Sequence, residues 1–309
     1  MDADPACLPC RARSLQRPAP RADPRRAAPP PPQQPAPAMP DIFTAVPQGS
    51  PEPWVSWLPD SLIGNVIIIS VLAVFDILVA RHTQARWFCL HAFANLLCVI
   101  SALNSIFTCF TDPVHCADSS KYSDTSLFGA ASMWPVVITN SVHVYHVIAF
   151  PLNADERFHH YLFIPTIGFS GQYYSWGAAQ GTIAFFLSGL PGGIDYFNLL
   201  LVKHAKMSLM TQKRICANLN VWCRGPGILL ASFIMYQCTL YGTTTVPAPL
   251  AAVICVVSTF NGLYYTKQSV ANYAFAHTVD TLRKTSTDEF DKSVDLRNKM
   301  LKTPQNAMS

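Results

Sequence analysis

The stretch SLIGNVIIISVLAVFDILVA, residues 61–80, decides the fold. The hydrocarbon core of a bilayer is about 30 Å thick, and a helix that rises about 1.5 Å per residue needs roughly 20 apolar residues to cross it. Backbone amide groups find no water in lipid, so a segment that crosses the bilayer must bond to itself as a helix. The stretch therefore predicts a membrane-spanning helix.

Apolar segments of similar length follow this one, and together they predict an all-α, polytopic membrane bundle or barrel. We place about seven spans, at 61–80, 87–110, 128–150, 159–176, 178–198, 219–241 and 246–266. The composition agrees, because 13% of the residues are charged, whereas soluble domains carry about 25%. Prolines and glycines interrupt the fourth and fifth segments, so kinked or re-entrant segments are expected there.

Composition divides the chain into three parts. Residues 1–60 begin with a Pro-, Ala- and Arg-rich segment that cannot form a packed core, and they are predicted to be a disordered tail. Residues 61–266 form the transmembrane domain. Residues 267–309 are predicted to be a cytosolic tail with a short helix, since Ser286–Glu289 resembles a capping box. Because no stripe of basic and aromatic residues occurs, nucleic acid is not an expected partner.

The basic residues predict the orientation. One set of connections between spans holds Arg81, Arg86, Arg157, Lys203, Lys206, Lys213, Arg214 and Lys267, and the alternate set holds Lys121 alone. By the positive-inside rule, the N-terminus is lumenal or outside and the C-terminus is cytosolic. Cys109 and Cys116 then flank a lumenal loop, where an oxidising environment would allow a disulfide between them.

Polar residues are densest at the end of the third span, in TNSVHVYHVIAF, residues 139–150. Asn140, His143 and His146 follow at intervals of three and so lie along one helix face. His159 and His160 open the next span after a short connection, which makes the two helices antiparallel neighbours. Polar groups at membrane depth tend to face a cavity or the bundle interior, so we expect both histidine pairs to meet there.

Three interpretations of the histidines stay open. In the first, they are hydrogen-bond partners that join neighbouring helices. In the second, they supply four ring nitrogens, a ligand set that suits zinc. In the third, they act as general acids and bases. We assign no metal. Asp195 and Arg224 also enter the membrane near the cytosolic side, where an ion pair between them is the simplest expectation. The predicted lipid-binding residues are Asn140, His143, His146, His160, Asp195 and Arg224, and in an enzyme the catalytic residues are His160, His159, His143 and His146.

The segment DERFHH, residues 155–160, and the order of the spans around it resemble the TLC-domain membrane proteins, which include ceramide synthases and non-enzymatic lipid-handling relatives. The resemblance covers about residues 89–265. It implies a helical barrel around a lipid-accessible cavity, with His159 and His160 at the family's paired-histidine position. Ceramide synthases carry an Asp-x-x-Asp segment after this pair, but Asp195-Tyr-Phe-Asn198 has one carboxylate, which argues against sphingolipid N-acylation.

Two other classes of membrane protein share features with the chain. His143-Val-Tyr-His146 resembles the His-x-x-His-His box of very-long-chain fatty-acid elongases, except that Val147 replaces the last histidine. A seven-helix receptor fits the topology but not the ends of the third and seventh spans. We therefore predict a protein that binds, senses or transfers a membrane lipid without a cofactor, in the endoplasmic reticulum or else another endomembrane or a plastid. The alternative is an acyl-CoA-dependent acyltransferase or elongase-like enzyme, with acyl-CoA as co-substrate.

Overall fold

The computed structural model describes residues 53–285 and 293–297, and every regular element among them is helical, as predicted. The α-helices are α1 (Pro53–Leu78), α2 (Arg86–Thr111), α3 (Trp134–Ala149), α4 (Ala154–Phe163), α5 (Phe169–Tyr173), α6 (Ala178–Ala184), α7 (Leu190–Lys203), α8 (Leu209–Leu219), α9 (Gly225–Leu240) and α10 (Ala248–Thr285). A 3₁₀ turn at Ala80–His82 follows α1, and residues 293–297 are also helical. Three π-helical turns, Ile164–Gly168, Phe185–Gly189 and Asn220–Arg224, join neighbouring α-helices into longer runs.

Four helical segments are long and apolar enough to cross a membrane: Pro59–His82, Arg86–Thr111, Ala178–Lys203 and Ala248–Arg283. They coincide with the first, second, fifth and seventh predicted spans. The other three predicted spans also fall on helices. One of these, α3, has 16 residues, fewer than the roughly 20 that a perpendicular crossing requires. The four segments are those of an integral membrane protein.

The outer surface of α1 is apolar, and its inner surface combines buried apolar side chains such as Leu72 with a buried carboxylate. Ile63 and Val66 are 59% and 67% exposed, whereas the Asp76 residue is fully buried. In water such an exposed apolar face would be a large hydrophobic patch, but in a bilayer it contacts acyl chains. The exposed apolar face of α1 therefore agrees with the membrane assignment that length and hydropathy give.

The bundle is built around α2, which packs against α3, α6 and α7, while α10 packs against α8 and α9. One buried cluster centres on Leu72, Leu90 and Val137. A second cluster, around Trp176 and Met235, lies toward the opposite end of α2. Between these packed regions the helices diverge and leave the cavity described below.

Connections at the end of α2 hold one end of the bundle closed. The backbone N–H of Ala178 donates to the Cys116 carbonyl oxygen at 2.7 Å, and the Thr243 hydroxyl donates to the Val114 carbonyl oxygen. Gly177 has a positive φ of 53°, and a Cβ there would collide with the Cys116 carbonyl oxygen. This position therefore requires glycine. We call this closed region the loop end and the opposite region, where α4 begins, the basic end.

Several boundaries differ from the sequence prediction. Helix α1 begins at Pro53, inside the predicted tail of residues 1–60, whose remaining part lies outside the described residues. The third segment begins at Trp134 and not at residue 128, because Pro135 is favoured in the first helical turn. Helix α10 continues to Thr285 past the predicted boundary at residue 266, since no proline or glycine interrupts residues 267–285. The predicted capping box at Ser286–Glu289 lies outside the described residues.

The interrupted fourth and fifth segments are continuous helical runs that contain π-helical turns. Pro165 lies in the first turn, where its missing N–H removes an α-helical hydrogen bond. The second turn ends just before Pro191 and two glycines. A wider turn in each segment absorbs the disruption, and the helix continues on the other side.

Candidate functional site

A cavity of about 540 Å³ opens among the helices toward the basic end. Its volume is within the roughly 300–1,000 Å³ of ordinary small-molecule sites. The wall combines apolar side chains such as Phe163, Ile183 and Phe260 with a histidine cluster, and Asn140 contributes an amide. The cavity can therefore hold a molecule that is largely apolar and has a polar end.

All three π-helical turns border this cavity. Ile164 and Gly168 come from the first turn, Leu187 and Ser188 from the second, and Arg224 from the third. Single π-helical turns are rare and occur frequently at functional sites, because they shift the side chains and carbonyl groups of one helix face. Their convergence on one cavity supports a functional role for it.

Helices α3 and α4 bring the two histidine pairs together, as the short connection between them predicts. A capping box between Asn153 and Glu156 starts α4 directly after the connection. Nε2 of His159 lies 3.2 Å from Nε2 of His143. Nε2 of His160 lies 2.8 Å from Nδ1 of His146. Both pairs are within hydrogen-bond distance, so the histidines of α3 and α4 meet as expected.

Hydrogen-bond partners fix the tautomers of two neutral histidines. Nδ1 of His143 lies 2.5 Å from the Thr139 carbonyl oxygen, which can only accept, so this nitrogen carries the proton. Nε2 of His143 then accepts from Nε2 of His159. Nδ1 of His159 is left as an acceptor for the Tyr265 hydroxyl, 2.9 Å away. The result is one directed chain of hydrogen bonds from Tyr265 through two imidazoles to the α3 backbone.

His160 differs from its neighbours. The residue is 2% exposed, and its Nδ1 has no hydrogen-bond partner among the residues that the structure describes. A buried polar atom without a partner is costly and needs an explanation. We call His143, His146, His159 and His160 the histidine cluster, and Nδ1 of His160 is its unsatisfied atom. Adjacent residues of a helix point about 100° apart, and the contacts of His159 and His160 differ accordingly.

Two further aromatic residues complete the wall and are absent from the predicted site residues. His91 packs against Tyr196 and His146, with ring centroids 4.6 and 5.6 Å apart. Tyr265 reaches His159 from α10, a helix 106 residues further along the chain. The sequence gave a signal for His91, an imidazole within an apolar span, but Tyr265 looked like an ordinary interfacial aromatic residue.

Asn140 faces the cavity and is held by an amide on the next helical run. Its Nδ2 donates to Oε1 of Gln172 at 2.8 Å, and both residues are buried. The Gln172 Nε2 atom has no hydrogen-bond partner. Asn140 therefore lines the cavity as predicted, with its amide already oriented.

Asp195 and Arg224 also line the cavity, but the ion pair expected between them is not formed. The Arg224 guanidinium donates to the Leu187 carbonyl oxygen at 2.8 and 3.1 Å and to Asn220. The Asp195 carboxylate accepts from Gln212 at 2.7 Å. The expectation is wrong because the π-helical turn that contains Leu187 presents a carbonyl oxygen to the guanidinium. Both side chains remain at the cavity wall.

A second polar cluster was missed altogether. The buried Asp76 carboxylate forms an ion pair with Arg86 and accepts a hydrogen bond from the Tyr145 hydroxyl at 2.9 Å. The signal in the sequence was a lone aspartate within the apolar stretch of residues 61–80. We call Asp76, Arg86 and Tyr145 the aspartate cluster.

The disulfide predicted between Cys109 and Cys116 is not formed, since both thiols are free and buried. The loop that contains Cys116 turns toward α9. There the Cys238 thiol contacts the carbonyl oxygens of Pro113 and Val114 at 3.4 and 3.3 Å. The Cys116 thiol itself is 3.7 Å from the Pro113 carbonyl oxygen. The packing of three thiols at the loop end replaces the predicted covalent pair.

Comparison of the chain with protein-family models, curated proteins and solved structures gives no match. The interpretation of the site therefore depends on its own geometry.

Proposed function

We propose that this chain is a multi-pass membrane protein that binds, senses or transfers a membrane lipid in the cavity. The observation that carries the proposal is the composition of the cavity wall. The wall of the cavity of about 540 Å³ is mostly apolar, and its polar groups include the histidine cluster, Asn140, Asp195 and Arg224. A lipid has the same division into an apolar part and a polar head group.

The location of the cavity supports a lipid over a water-soluble ligand. The helices around it turn large apolar side chains outward, which in a bilayer would contact acyl chains. The basic end carries Arg86, Arg157 and Lys203. We propose seven spans, with the basic end and the C-terminus in the cytosol and the N-terminus in the lumen. The TLC resemblance further suggests the endoplasmic reticulum.

Mass spectrometry of lipids that co-purify with the protein in mild detergent tests the proposal. We expect a lipid to be retained by the wild type and by His82→Ala, whose side chain is exposed outside the cavity. His160→Ala should lower the occupancy about tenfold, which corresponds to about 1.4 kcal/mol of binding free energy. His159→Ala should have a smaller effect, because Tyr265 and His143 already occupy both of its ring nitrogens.

The comparison is made on variants that elute as one folded peak. Equal lipid occupancy in the wild type and in all four alanine variants of the histidine cluster would exclude the cluster as the binding site. The occupancy of His82→Ala shows whether the loss of any histidine affects extraction.

A second function, acyl-CoA-dependent acyl transfer, is favoured by one specific observation. The unsatisfied Nδ1 of His160 is the kind of atom that accepts a proton from a hydroxyl or amine nucleophile. The other ring nitrogen of His160, Nε2, is within hydrogen-bond distance of Nδ1 of His146, which would stabilise the positive charge on the protonated ring. Acyl-CoA-dependent product formation by the purified chain, lost in His160→Ala, would identify the enzyme, and a retained lipid without turnover would identify the binding protein.

A further inference from the structure

We propose that His143, His159 and His160 bind a transition-metal ion, with Zn²⁺ the preferred ion, on the wall of the cavity. One ring nitrogen from each residue lies within 4.8 Å of the other two. The three residues come from α3 and α4, which the capped connection holds side by side. The inference does not require the ligand of the cavity to be a lipid.

The spacing of the nitrogens suits a shared ion. A tetrahedral zinc with Zn–N bonds of about 2.0–2.1 Å holds its ligand nitrogens roughly 3.3 Å apart. The Nε2 atoms of His143 and His159 are 3.2 Å apart. Two identical ring nitrogens that meet at this distance need either one proton or one cation between them.

The outer contacts are those of metal-bound histidines, which almost always donate their other ring N–H to an acceptor. Nδ1 of His143 donates to the Thr139 carbonyl oxygen at 2.5 Å. With a metal on Nε2 of His159, its Nδ1 carries a proton and donates to the Tyr265 hydroxyl oxygen. Nε2 of His160 is 2.8 Å from His146 and can donate to it in the same way. Each imidazole is thus oriented through one nitrogen.

The unsatisfied atom points to the same conclusion. Nδ1 of the buried His160 has no hydrogen-bond partner, and coordination would satisfy it. Since Nε2 of His160 is hydrogen-bonded to His146, Nδ1 is the ring nitrogen of His160 that remains for a metal ion.

The donor set selects the class of ion. Three neutral imidazoles without a thiolate or carboxylate suit zinc, copper, nickel or iron and are unsuited to calcium and magnesium, which prefer oxygen ligands. Three histidines leave a fourth position of the tetrahedron, which in catalytic zinc sites holds water or substrate. Because all three residues line the cavity, that position is available to an oxygen atom of the bound molecule.

Metal content and cobalt spectroscopy of the purified full-length chain test the site. After equilibration with Zn²⁺ and removal of excess ion, we expect one zinc per chain in the wild type and in His204→Ala, an exposed histidine outside the cavity. His143→Ala, His159→Ala and His160→Ala should each lose it. Co²⁺ should give the intense visible absorption of a four-coordinate ion in the wild type and in His204→Ala, and should not give it in the three alanine variants of the ligands. Tyr265→Phe should weaken Zn²⁺ binding about 10–100-fold.

A measurement on the wild type alone covers the case in which the alanine variants fail to fold. Zn²⁺ should raise the unfolding midpoint in a concentration-dependent manner, whereas Mg²⁺ should not. The proposal is overturned if the wild type binds no Zn²⁺ and its unfolding midpoint does not respond. It is also overturned if the single variants retain the ion. A zinc-binding chain without retained lipid would remove the proposed lipid function and leave the metal site intact.

Discussion

Two polar clusters adjoin at the basic end, and they differ in how completely their atoms are paired. In the aspartate cluster, a buried carboxylate is matched by a guanidinium and a phenol. In the histidine cluster, four groups of one kind contact one another, and one ring nitrogen has no partner. The clusters meet at Phe150, whose ring contacts the Arg86 guanidinium on one side and His146 on the other.

The difference indicates a structural role for the aspartate cluster and a binding role for the histidine cluster, although both lie at the same end of the molecule. The aspartate cluster connects α1, α2 and α3, and both carboxylate oxygens of the buried Asp76 already accept hydrogen bonds. It is a device for helix assembly in a membrane, where a charge must be matched. The histidine cluster faces the cavity and is incompletely paired. Variants of the first cluster should therefore affect stability, and variants of the second should affect binding.

The largest effect is expected for Arg86→Met. The change strands the Asp76 carboxylate, whose side chain is 1% exposed, and the loss of one partner from a buried pair costs about 3–5 kcal/mol. The unfolding midpoint in detergent should fall by many degrees, while the folded fraction keeps its lipid. Asp76→Asn is the matched control. It should cost less, because the Arg86 side chain is 37% exposed and can turn to solvent.

The double variant Asp76→Asn/Arg86→Met measures the interaction between the two residues separately from the effect of each single substitution. It should recover much of the loss seen in Arg86→Met, since no uncompensated charge remains. An unfolding midpoint of Arg86→Met equal to that of the wild type would show that the pair does not hold the helices together. The comparison between the clusters would then fail.

Two tyrosines offer the next test, because one contacts each cluster and their hydroxyl groups make hydrogen bonds of equal length. Tyr145 donates to Asp76 at 2.9 Å, and Tyr265 lies 2.9 Å from Nδ1 of His159. A hydrogen bond to a charged group contributes about 1.5–3 kcal/mol and a neutral one about 0.5–1.5 kcal/mol. Tyr145→Phe should therefore lower the unfolding midpoint more than Tyr265→Phe, and only Tyr265→Phe should change ligand or metal binding. The reverse order of midpoints would contradict the assignment.

The sequence predicts the helices well because lipid leaves the backbone no alternative. Residues 61–80 and 87–110 are apolar for long enough to require helices, and both are helical. Boundaries are harder where no physical stop occurs. Residues 267–285 continue α10 because a polar stretch without proline or glycine can extend a helix beyond its apolar part.

The meeting of the histidine pairs was predictable because the connection between α3 and α4 is short. Local geometry brings residues at the end of one helix next to residues at the start of the following one. The partner of His159 was not predictable in this way, since Tyr265 comes from the last helix and its position depends on how the whole bundle packs.

The partners of Asp195 and Arg224 illustrate what sequence cannot provide. Opposite charges at one depth suggest a pair, but the Arg224 guanidinium bonds to the Leu187 carbonyl oxygen. That oxygen is accessible because Leu187 lies in a π-helical turn, and the register of such a turn has no clear sequence signature. The aspartate cluster could have been suspected from Asp76, a lone charge in the apolar stretch of residues 61–80. Its partner Arg86 lies in the connection after this span, where a basic residue is usually interpreted as a sign of membrane orientation.

The smallest effect is expected at the loop end, where a partly exposed trio repeats the chemistry of the aspartate cluster. The Asp112 carboxylate accepts from Lys121 at 2.5 Å and from the Tyr122 hydroxyl at 2.9 Å. The Lys121 side chain is 50% exposed, and exposed pairs contribute little because water and salt screen them. Asp112→Asn should lower the unfolding midpoint by no more than about 2 °C.

The pH dependence of this small effect has a definite sign. The hydrogen bond from Lys121 is the main cause that holds the pKa of Asp112 well below its usual range. A carboxyl group with a lowered pKa in the folded state stabilises the fold above its unfolded pKa of about 3.9, and the contribution disappears as the pH falls toward the folded value. The difference between wild type and Asp112→Asn should be complete at neutral pH, shrink below about pH 4, and also shrink in high salt. An effect as large as that of Arg86→Met, or one that grows on acidification, would mean that burial is not what distinguishes the aspartate cluster from its exposed counterpart.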